Sequence, residues 1–340
     1  MLLSEFDKSA VDLANKALNK VLAFNIQREF GPKQAPPNGA LYHYSTADGL
    51  KGIIEKNELW ASSAYFLNDW TEITYGCGLV TEVLDNWILK NPGPETSLAL
   101  DFAQQLRQRF GEDLLKGKVI EPIYLACFCE DDNLLSQWRN YGQSGGYSLG
   151  FAVPAPDLTT GQGFKPEPNI YTSKWVKVEY DRSEQVKKCN AVLEPVLTAF
   201  DNPDVARAVT TVMDHPLVGY SKILGVIRDM LFEEIIGFKN RAFEVEKEWR
   251  VVVRRRELLK QGSDDGGRTP IPVYFRSLEG GLVPYVKLIP TDPAKKLPIV
   301  SVRSGPTLEK ATASMVITML LHRNGFSNVR VQGSDIPVRL

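Results

Sequence analysis

The stretch LYHYSTADGLKGIIEKNELWAS, residues 41–62, decides the fold that this sequence predicts. Residues 40–45 and 59–66 favour strands, and the apolar spacing within 47–57 favours a short helix between them. Successive side chains of a strand point to opposite faces, so Tyr42 and Tyr44 share one face while His43 and Ser45 share the other. A histidine beside a hydroxyl is an unusual choice for a strand that is otherwise apolar. It marks either a histidine satisfied by backbone contacts or a ligand site.

Patterns on both sides of this stretch alternate between helix and strand. Upstream, an amphipathic helix over 4–30 is followed by a break at GPKQAPPNG, residues 31–39. Downstream, we expect the following strands and helices: strands at 119–130, 146–153, 175–180 and 246–255, and helices at 71–90, 183–200, 217–239 and 307–325. The sequence therefore predicts an α+β protein, with an N-terminal helix and linker over 1–39 and one elaborated domain over 40–340.

Composition excludes several classes of protein. The 340 residues are 43% hydrophobic with a net charge of −1, which is typical of a globular protein and argues against a general polyanion binder. Apolar runs are too short to span a membrane. Four cysteines are too few for a disulfide framework, and three scattered histidines disfavour a metal site. Because Glu5, Asp7 and Lys8 stand where a signal peptide needs apolar residues, we expect a cytoplasmic protein.

Several ordered motifs resemble those of an uncharacterised bacterial family that is known only as a domain of unknown function. The motifs are LYHY (41–44), LND (67–69) with Glu72, CF (127–128), SQW (136–138), GY (146–147) and EKEWR (246–250). The resemblance extends over about residues 40–325. It implies family membership but assigns no reaction.

A more distant resemblance, to the ADP-ribosyltransferases, implies a function. A histidine on the first strand, a strand followed by an aromatic-bearing helix, and a late Glu-x-Glu strand are similar to that layout. The resemblance implies a mostly antiparallel sheet with helical insertions, and NAD as substrate. His43 would hold the cofactor, Trp138 or Tyr141 would stack on nicotinamide, and Glu248 would stabilise the transition state.

The full set of site residues that this resemblance implies has two parts. Glu248 and Glu246 are the candidate catalytic residues, with Glu246 orienting the acceptor. The candidate cofactor-binding residues are His43, Tyr44, Ser45, Ser62, Trp138, Tyr141 and Arg250. No metal is implied. The acceptor would be a protein or nucleic acid, and proteins of this layout often act as toxins or in phage defence.

The chemistry of glycosidic cleavage favours the same glutamate. Such cleavage passes through a state with positive charge on the sugar ring, which a nearby carboxylate stabilises. Period-two alternation predicts that Glu246, Glu248 and Arg250 share one strand face. Two carboxylates on one face repel each other unless a cation or ligand compensates them. The alternative is an exposed, salt-bridged strand edge that contributes little to stability.

Other readings stay open. Asn68, Asp69 and Glu72 form either a helix cap or a ligand contact. Cys127 and Cys129 are best interpreted as small buried hydrophobic residues. For the whole protein, the rival to an NAD-dependent enzyme is a non-catalytic module that binds a nucleotide or peptide. A weaker third hypothesis is a nucleic-acid hydrolase that uses the acidic cluster and a divalent ion.

Overall fold

A computed structural model of the chain describes residues 39–66, 70–94, 97–113, 123–141, 146–153, 164–166, 171–211, 220–255, 272–278, 281–290, 292 and 294–337. The predicted helix over 4–30 and residues Asn68 and Asp69 lie outside these ranges. The described chain forms two compact units. One is a sheet unit that draws on residues between 34–68, 121–178 and 242–340. The other is a helical unit from 69–120 and 179–241.

The sheet unit is built on eleven strands among the described residues. They are β1 (Ala40–Ser45), β2 (Leu59–Ser63), β3 (Tyr124–Cys129), β4 (Tyr147–Ala152), β5 (Phe164–Pro166), β6 (Tyr171–Lys177), β7 (Glu248–Arg255), β8 (Tyr274–Leu278), β9 (Gly281–Pro290), β10 (Ile299–Ser304) and β11 (Arg330–Gly333). The order along the main path is β11-β10-β4-β1-β3-β2-β9-β5, with β7 also beside β3, β6 beside β7 and β8 beside β9. These pairs are antiparallel except β10 with β11.

The helices divide between the two units. In chain order they are α1 (Ala47–Lys56), α2 (Trp70–Lys90), α3 (Leu98–Gln108), α4 (Leu135–Tyr141), α5 (Arg182–Asp201), α6 (Pro203–Thr211), α7 (Tyr220–Ile235) and α8 (Lys310–Arg323). The sheet unit contains α1, α4 and α8, and the helical unit contains the others. Among the described residues, no helix combines the length and the apolar character needed to cross a membrane.

Local sequence explains the sharp ends of α1, the helix of the opening stretch. The Thr46 side chain caps its first turn by accepting a hydrogen bond from the Gly49 amide. Asn57 ends the helix in the left-handed conformation at φ 55°, which asparagine tolerates better than most residues. Leu50 and Ile54 are buried between these ends. The helix therefore presents one apolar stripe to the sheet unit's core.

The two faces of the central strands are packed differently. One face carries the large core, where Leu41, Phe128, Phe151 and Trp249 cluster with apolar residues of α1 and α8. The other face carries a small cluster around Tyr44, Cys129 and Trp138. The buried polar side chains of Glu248 and Arg250 lie on the face with the small core.

The helical unit has its own core. Phe102 of α3 contacts Phe200 of α5 and Tyr220 of α7 edge to face, with ring centroids 5.0 and 5.8 Å apart. The Tyr220 hydroxyl donates a 2.6 Å hydrogen bond to Asp101. Buried polar groups here are paired, as burial requires.

The predicted fold class is confirmed: the structure is α+β with a mixed, mostly antiparallel sheet. The predicted strands and helices that fall within the described ranges recur with boundaries shifted by a few residues. The strand predicted from residue 119 is described from Tyr124, and the strand predicted from residue 246 begins at Glu248. The single domain over 40–340 stays a prediction.

Two glycines of α2 test the packing of the helical unit. A Cβ at Gly76 would overlap the Ile235 side chain, whereas a Cβ at Gly78 would meet nothing within 4 Å. We expect Gly76→Ala to lower the free energy of unfolding by about 1–3 kcal/mol through overpacking. Gly78→Ala should raise it by up to about 1 kcal/mol, because alanine favours the helix. Chemical denaturation measures both, and equal effects would contradict this packing.

Candidate functional site

Strand β3 pairs with three other strands, although a strand has only two hydrogen-bonding edges. Strand β7 pairs along all of it, from Tyr124↔Val253 to Cys129↔Glu248. Strands β1 and β2 therefore share its other edge. Strand β1 meets it at Tyr42↔Cys129, and β2 meets it at Ser62↔Leu125 and the adjacent pair. Between these contacts, at residues 126–128, β1 and β2 part. We call this place, with His43 and Ser62 on its two arms, the β1–β2 fork.

His43 lies at the fork and bonds the backbone there. Its Nδ1 is 2.9 Å from the Cys127 carbonyl oxygen, and its ring lies 5.6 Å from that of Phe128. A carbonyl only accepts, so Nδ1 carries the proton. Burial lowers the pKa of His43 below its ordinary value, and the positive charge of Arg276 lowers it further, against an opposing effect of the Cys127 hydrogen bond. The imidazole is therefore neutral at pH 7, with Nε2 as a hydrogen-bond acceptor.

Arg276 of β8 lies beside the Ser62 arm of the fork, on the face opposite to that of the His43 side chain. Its Nη2 donates a 3.0 Å hydrogen bond to the Ser62 Oγ. Its Nε is buried and has no hydrogen-bond partner among the described residues. Burial lowers the pKa of Arg276, and no carboxylate of the described ranges forms an ion pair with it. The fork thus holds a guanidinium with an unmet donor.

The register separates His43 from Glu248. Directly paired residues point to the same face, so Tyr42, Cys129 and Glu248 share one face. His43, next to Tyr42, points to the other face and contacts Phe128 there. Strand β3 lies between the two side chains. The expectation that His43 and Glu248 line one common pocket is therefore wrong. The sequence alone could not assign Glu248 to a face relative to His43, because that assignment needs the pairing register across β3.

Glu246 and Glu248 meet at a corner of the chain rather than along one strand. Glu246 ends a 3-10 turn, Arg241–Glu246, and Lys247 has a left-handed φ of 44°. Strand β7 begins only at Glu248. The predicted alternation of Glu246 with Glu248 and Arg250 is therefore wrong, since a left-handed residue breaks the period of two. We call residues 246–248 with Arg250 the EKE corner.

The EKE corner is buried and internally paired. Arg250 Nε lies 2.8 Å from Glu248 Oε1 and Nη2 lies 3.1 Å from Oε2, so both carboxylate oxygens are engaged. Glu246 is buried as well, at 7% exposure. Burial raises the pKa of the neighbouring Cys129 thiol, and the charges of both glutamates raise it further. Cys129 is thus an unreactive thiol beside two carboxylates, and its interpretation as a small buried residue is consistent with this placement.

The aromatic residues among the predicted cofactor-binding set are mostly engaged within the protein. Tyr44 donates to the Asp131 carbonyl at 3.0 Å and accepts from the Leu134 amide at 2.8 Å. The indole of Trp138 lies edge to face with Tyr44 at 4.7 Å and donates to Asn133. These two rings pin the loop between β3 and α4. Tyr141, at the end of α4, is exposed.

Ser45 and Glu72, two further candidates from the sequence, make contacts within the protein. Ser45 ends β1 beside Gly49 of α1, where a Cβ on the glycine would overlap its hydroxyl. Glu72, in the helical unit, forms a 2.9 Å ion pair with the buried Lys239. Whether it also belongs to a cap involving residues 68–69 lies outside the described ranges. Within those ranges, no three His, Cys, Asp or Glu side chains are grouped to hold a metal ion.

Arg276 is the residue that sequence reasoning missed. It lies in PVYFR, a stretch that predicts a strand, and it alternates with Tyr274. A lone arginine at an inward position of an apolar strand was the available signal. Its missing partner, however, is visible only in three dimensions.

Comparison with known proteins gives one match. Residues 137–251 match the sequence model of a family described as Protein of unknown function (DUF2971). The match confirms the predicted resemblance to an uncharacterised family over that range, which contains the EKE corner but neither His43 nor Arg276. No curated protein and no solved structure matches the chain significantly.

His43 should make stability depend on pH. Because its pKa is lowered in the folded protein, the unfolded chain binds the extra proton first as the pH falls below about 6.5. We expect the free energy of unfolding to fall with pH there, and to fall less in His43→Asn, which can keep a donor near Nδ1. Urea denaturation at several pH values measures this. The exposed His322→Asn is the control, and identical slopes in all three proteins would contradict it.

Tyr44 should be a structural rather than a ligand-binding residue. Tyr44→Phe leaves the Leu134 amide and the Asp131 carbonyl without this partner, at a cost of about 1–3 kcal/mol in the free energy of unfolding. Tyr147→Phe is the matched control, because the Tyr147 hydroxyl has no hydrogen bond among the described residues. Unchanged stability in Tyr44→Phe would contradict the pinning role.

Proposed function

We propose that this protein is an ADP-ribosyltransferase-like protein that binds NAD at the EKE corner and either transfers ADP-ribose to a macromolecule or hydrolyses NAD. The observation that supports it is the pair of buried glutamates on either side of a left-handed lysine. A non-glycine residue in that conformation costs about 1–3 kcal/mol, and such strain is concentrated at functional sites. Two buried carboxylates so close together add a further cost.

The proposed reaction is a substitution at the anomeric carbon of the nicotinamide ribose. The bond from C1′ to the nicotinamide nitrogen breaks, and nicotinamide leaves as a neutral base. Water or an acceptor nucleophile forms the new bond to C1′ and gives up a proton. Glu248, oriented by its ion pair with Arg250, would stabilise the positive ring in between. Glu246 would orient the acceptor.

The division of the two faces changes the proposed role of His43. Glu248 and His43 point to opposite faces of the sheet, so a ligand bound to Glu248 would not contact the His43 side chain. We therefore leave His43, Tyr44 and Trp138 out of the proposed chemistry, and retain Glu246, Glu248 and Arg250.

A second candidate function is non-catalytic binding of a nucleotide. It is favoured by the engagement of both Glu248 oxygens with Arg250, which leaves the carboxylate less available to a ribose hydroxyl. A binder would be stabilised by NAD through mass action without consuming it.

Nicotinamide release from NAD tests the first candidate. We expect Glu248→Gln to lower the release rate by at least about 100-fold, since it removes the charge that stabilises the transition state. The exposed Glu55→Gln on α1 is the matched control and should match the wild type. Because Glu248→Gln strands Arg250, the double variant Glu248→Gln/Arg250→Met removes both charges and should be folded but inactive. Release by Glu248→Gln at the wild-type rate would overturn the catalytic proposal.

Thermal unfolding with NAD separates the two candidates. Stabilisation of the wild type without nicotinamide release favours the binding function. Neither stabilisation nor release, with candidate acceptor proteins and nucleic acids present, would overturn both.

A further inference from the structure

An uncompensated charge is the unusual feature of the β1–β2 fork. Arg276 has one donor on Ser62 and a buried Nε without a partner among the described residues. A guanidinium that is taken out of water costs several kcal/mol unless a counter-charge and hydrogen bonds compensate it. The buried cations of the described ranges, by contrast, each pair with a carboxylate: Arg250 with Glu248 and Lys239 with Glu72. Arg276 differs from them.

Ser62 adds a second donor at the same place. Its side chain is buried, at 6% exposure, and its Oγ accepts from Arg276. Among the described residues, the Ser62 hydroxyl proton has no acceptor. In the guanidinium, Nε and Nη2 lie on one edge, the edge that binds oxyanions through two parallel hydrogen bonds. Arg276 Nε and the Ser62 hydroxyl proton are therefore two donors without an acceptor among the described residues, held together by the hydrogen bond from Nη2 to Oγ.

The surroundings of Arg276 are aromatic and positively charged. Tyr285 pairs directly with Ser62 and stacks on Trp60 at 4.2 Å and on Tyr274 at 5.6 Å. Lys56 lies over the Trp60 ring and Lys287 over the Tyr274 ring. Glu58 forms a 3.0 Å ion pair with Lys287, which leaves Lys56 and Arg276 without an ion pair among the described residues. The local field favours an anion.

We infer that the β1–β2 fork is an anion-binding site in which the Arg276 guanidinium and the Ser62 hydroxyl hold a phosphate group. Phosphate fits this donor set better than a carboxylate, because it offers more oxygens and more negative charge to a half-buried guanidinium. The site lies on the same face of β3 as the EKE corner, since Ser62 pairs with Leu125 and Leu125 shares its face with Cys129, but it uses different residues and does not depend on the proposed reaction. A free phosphate compound and the phosphates of a nucleotide share this chemistry.

Calorimetric titration with inorganic pyrophosphate tests the site. We expect Arg276→Gln to bind it roughly 10- to 100-fold more weakly than the wild type, the loss typical of a charge-assisted hydrogen bond. Ser62→Ala should weaken binding in the same direction. Arg323→Gln, at the exposed end of α8, is the matched control and should bind like the wild type. Equal binding by the wild type and Arg276→Gln, or no binding by the wild type, would overturn the inference.

The stability of the variant without ligand gives an independent readout. If Arg276 has no counter-charge in the chain, Arg276→Gln in phosphate-free buffer should unfold at a temperature no lower than the wild type. A clearly lower unfolding temperature would reveal a partner within the protein and overturn the inference.

Two further comparisons identify the source of the phosphate and separate this site from the EKE corner. Tighter binding of ADP-ribose than of pyrophosphate would support a nucleotide ligand, and equal binding would support a free phosphate compound; both require Arg276. Glu248→Gln should retain pyrophosphate binding even if nicotinamide release is absent from every variant. Loss of pyrophosphate binding in Glu248→Gln with a preserved fold would overturn the separation of the sites.

Discussion

A strand has two hydrogen-bonding edges, and β3 must serve three neighbours with them. Since β7 occupies one edge completely, β1 and β2 divide the other and part at residues 126–128. The backbone exposed by this parting needs partners, and the His43 side chain bonds the Cys127 carbonyl there. The position of His43 at the fork follows from this shared edge, whereas its separation from Glu248 follows from the pairing register across β3.

The EKE corner and the β1–β2 fork differ in whether their charged side chains have counter-charges. At the EKE corner, Glu248 and Arg250 satisfy each other within one strand, so the corner is closed electrostatically while its backbone holds strain at Lys247. At the fork, the Cys127 carbonyl has a partner in His43, whereas Arg276 has no carboxylate partner among the described residues. A closed pair is suited to orienting a carboxylate for chemistry, whereas an open guanidinium is suited to binding an anion.

Local patterns in the sequence predicted much of the fold. Alternation correctly separated Tyr42 and Tyr44 from His43 and Ser45, and apolar spacing located α1 and α2 within a residue or two. The same rule failed at Glu246, because a left-handed residue at 247 interrupts the strand and nothing in the local composition marks it. Pairing across β3 joins residues far apart in the chain, so the face of Glu248 relative to His43 was beyond local patterns. Arg276 was missed for a related reason. What distinguishes it is that its Nε lacks a hydrogen-bond partner among the described residues, and this is visible only in three dimensions.

The central claim is that the fork formed by the shared edge of β3 leaves Arg276 open to an external anion. A crystal structure of the protein soaked with pyrophosphate tests it most directly. The account predicts a phosphate group within hydrogen-bonding distance of Arg276 Nε and Ser62 Oγ, with β1 and β2 still parted at residues 126–128. A carboxylate of the chain itself on Arg276 Nε, with pyrophosphate bound elsewhere or not at all, would contradict it.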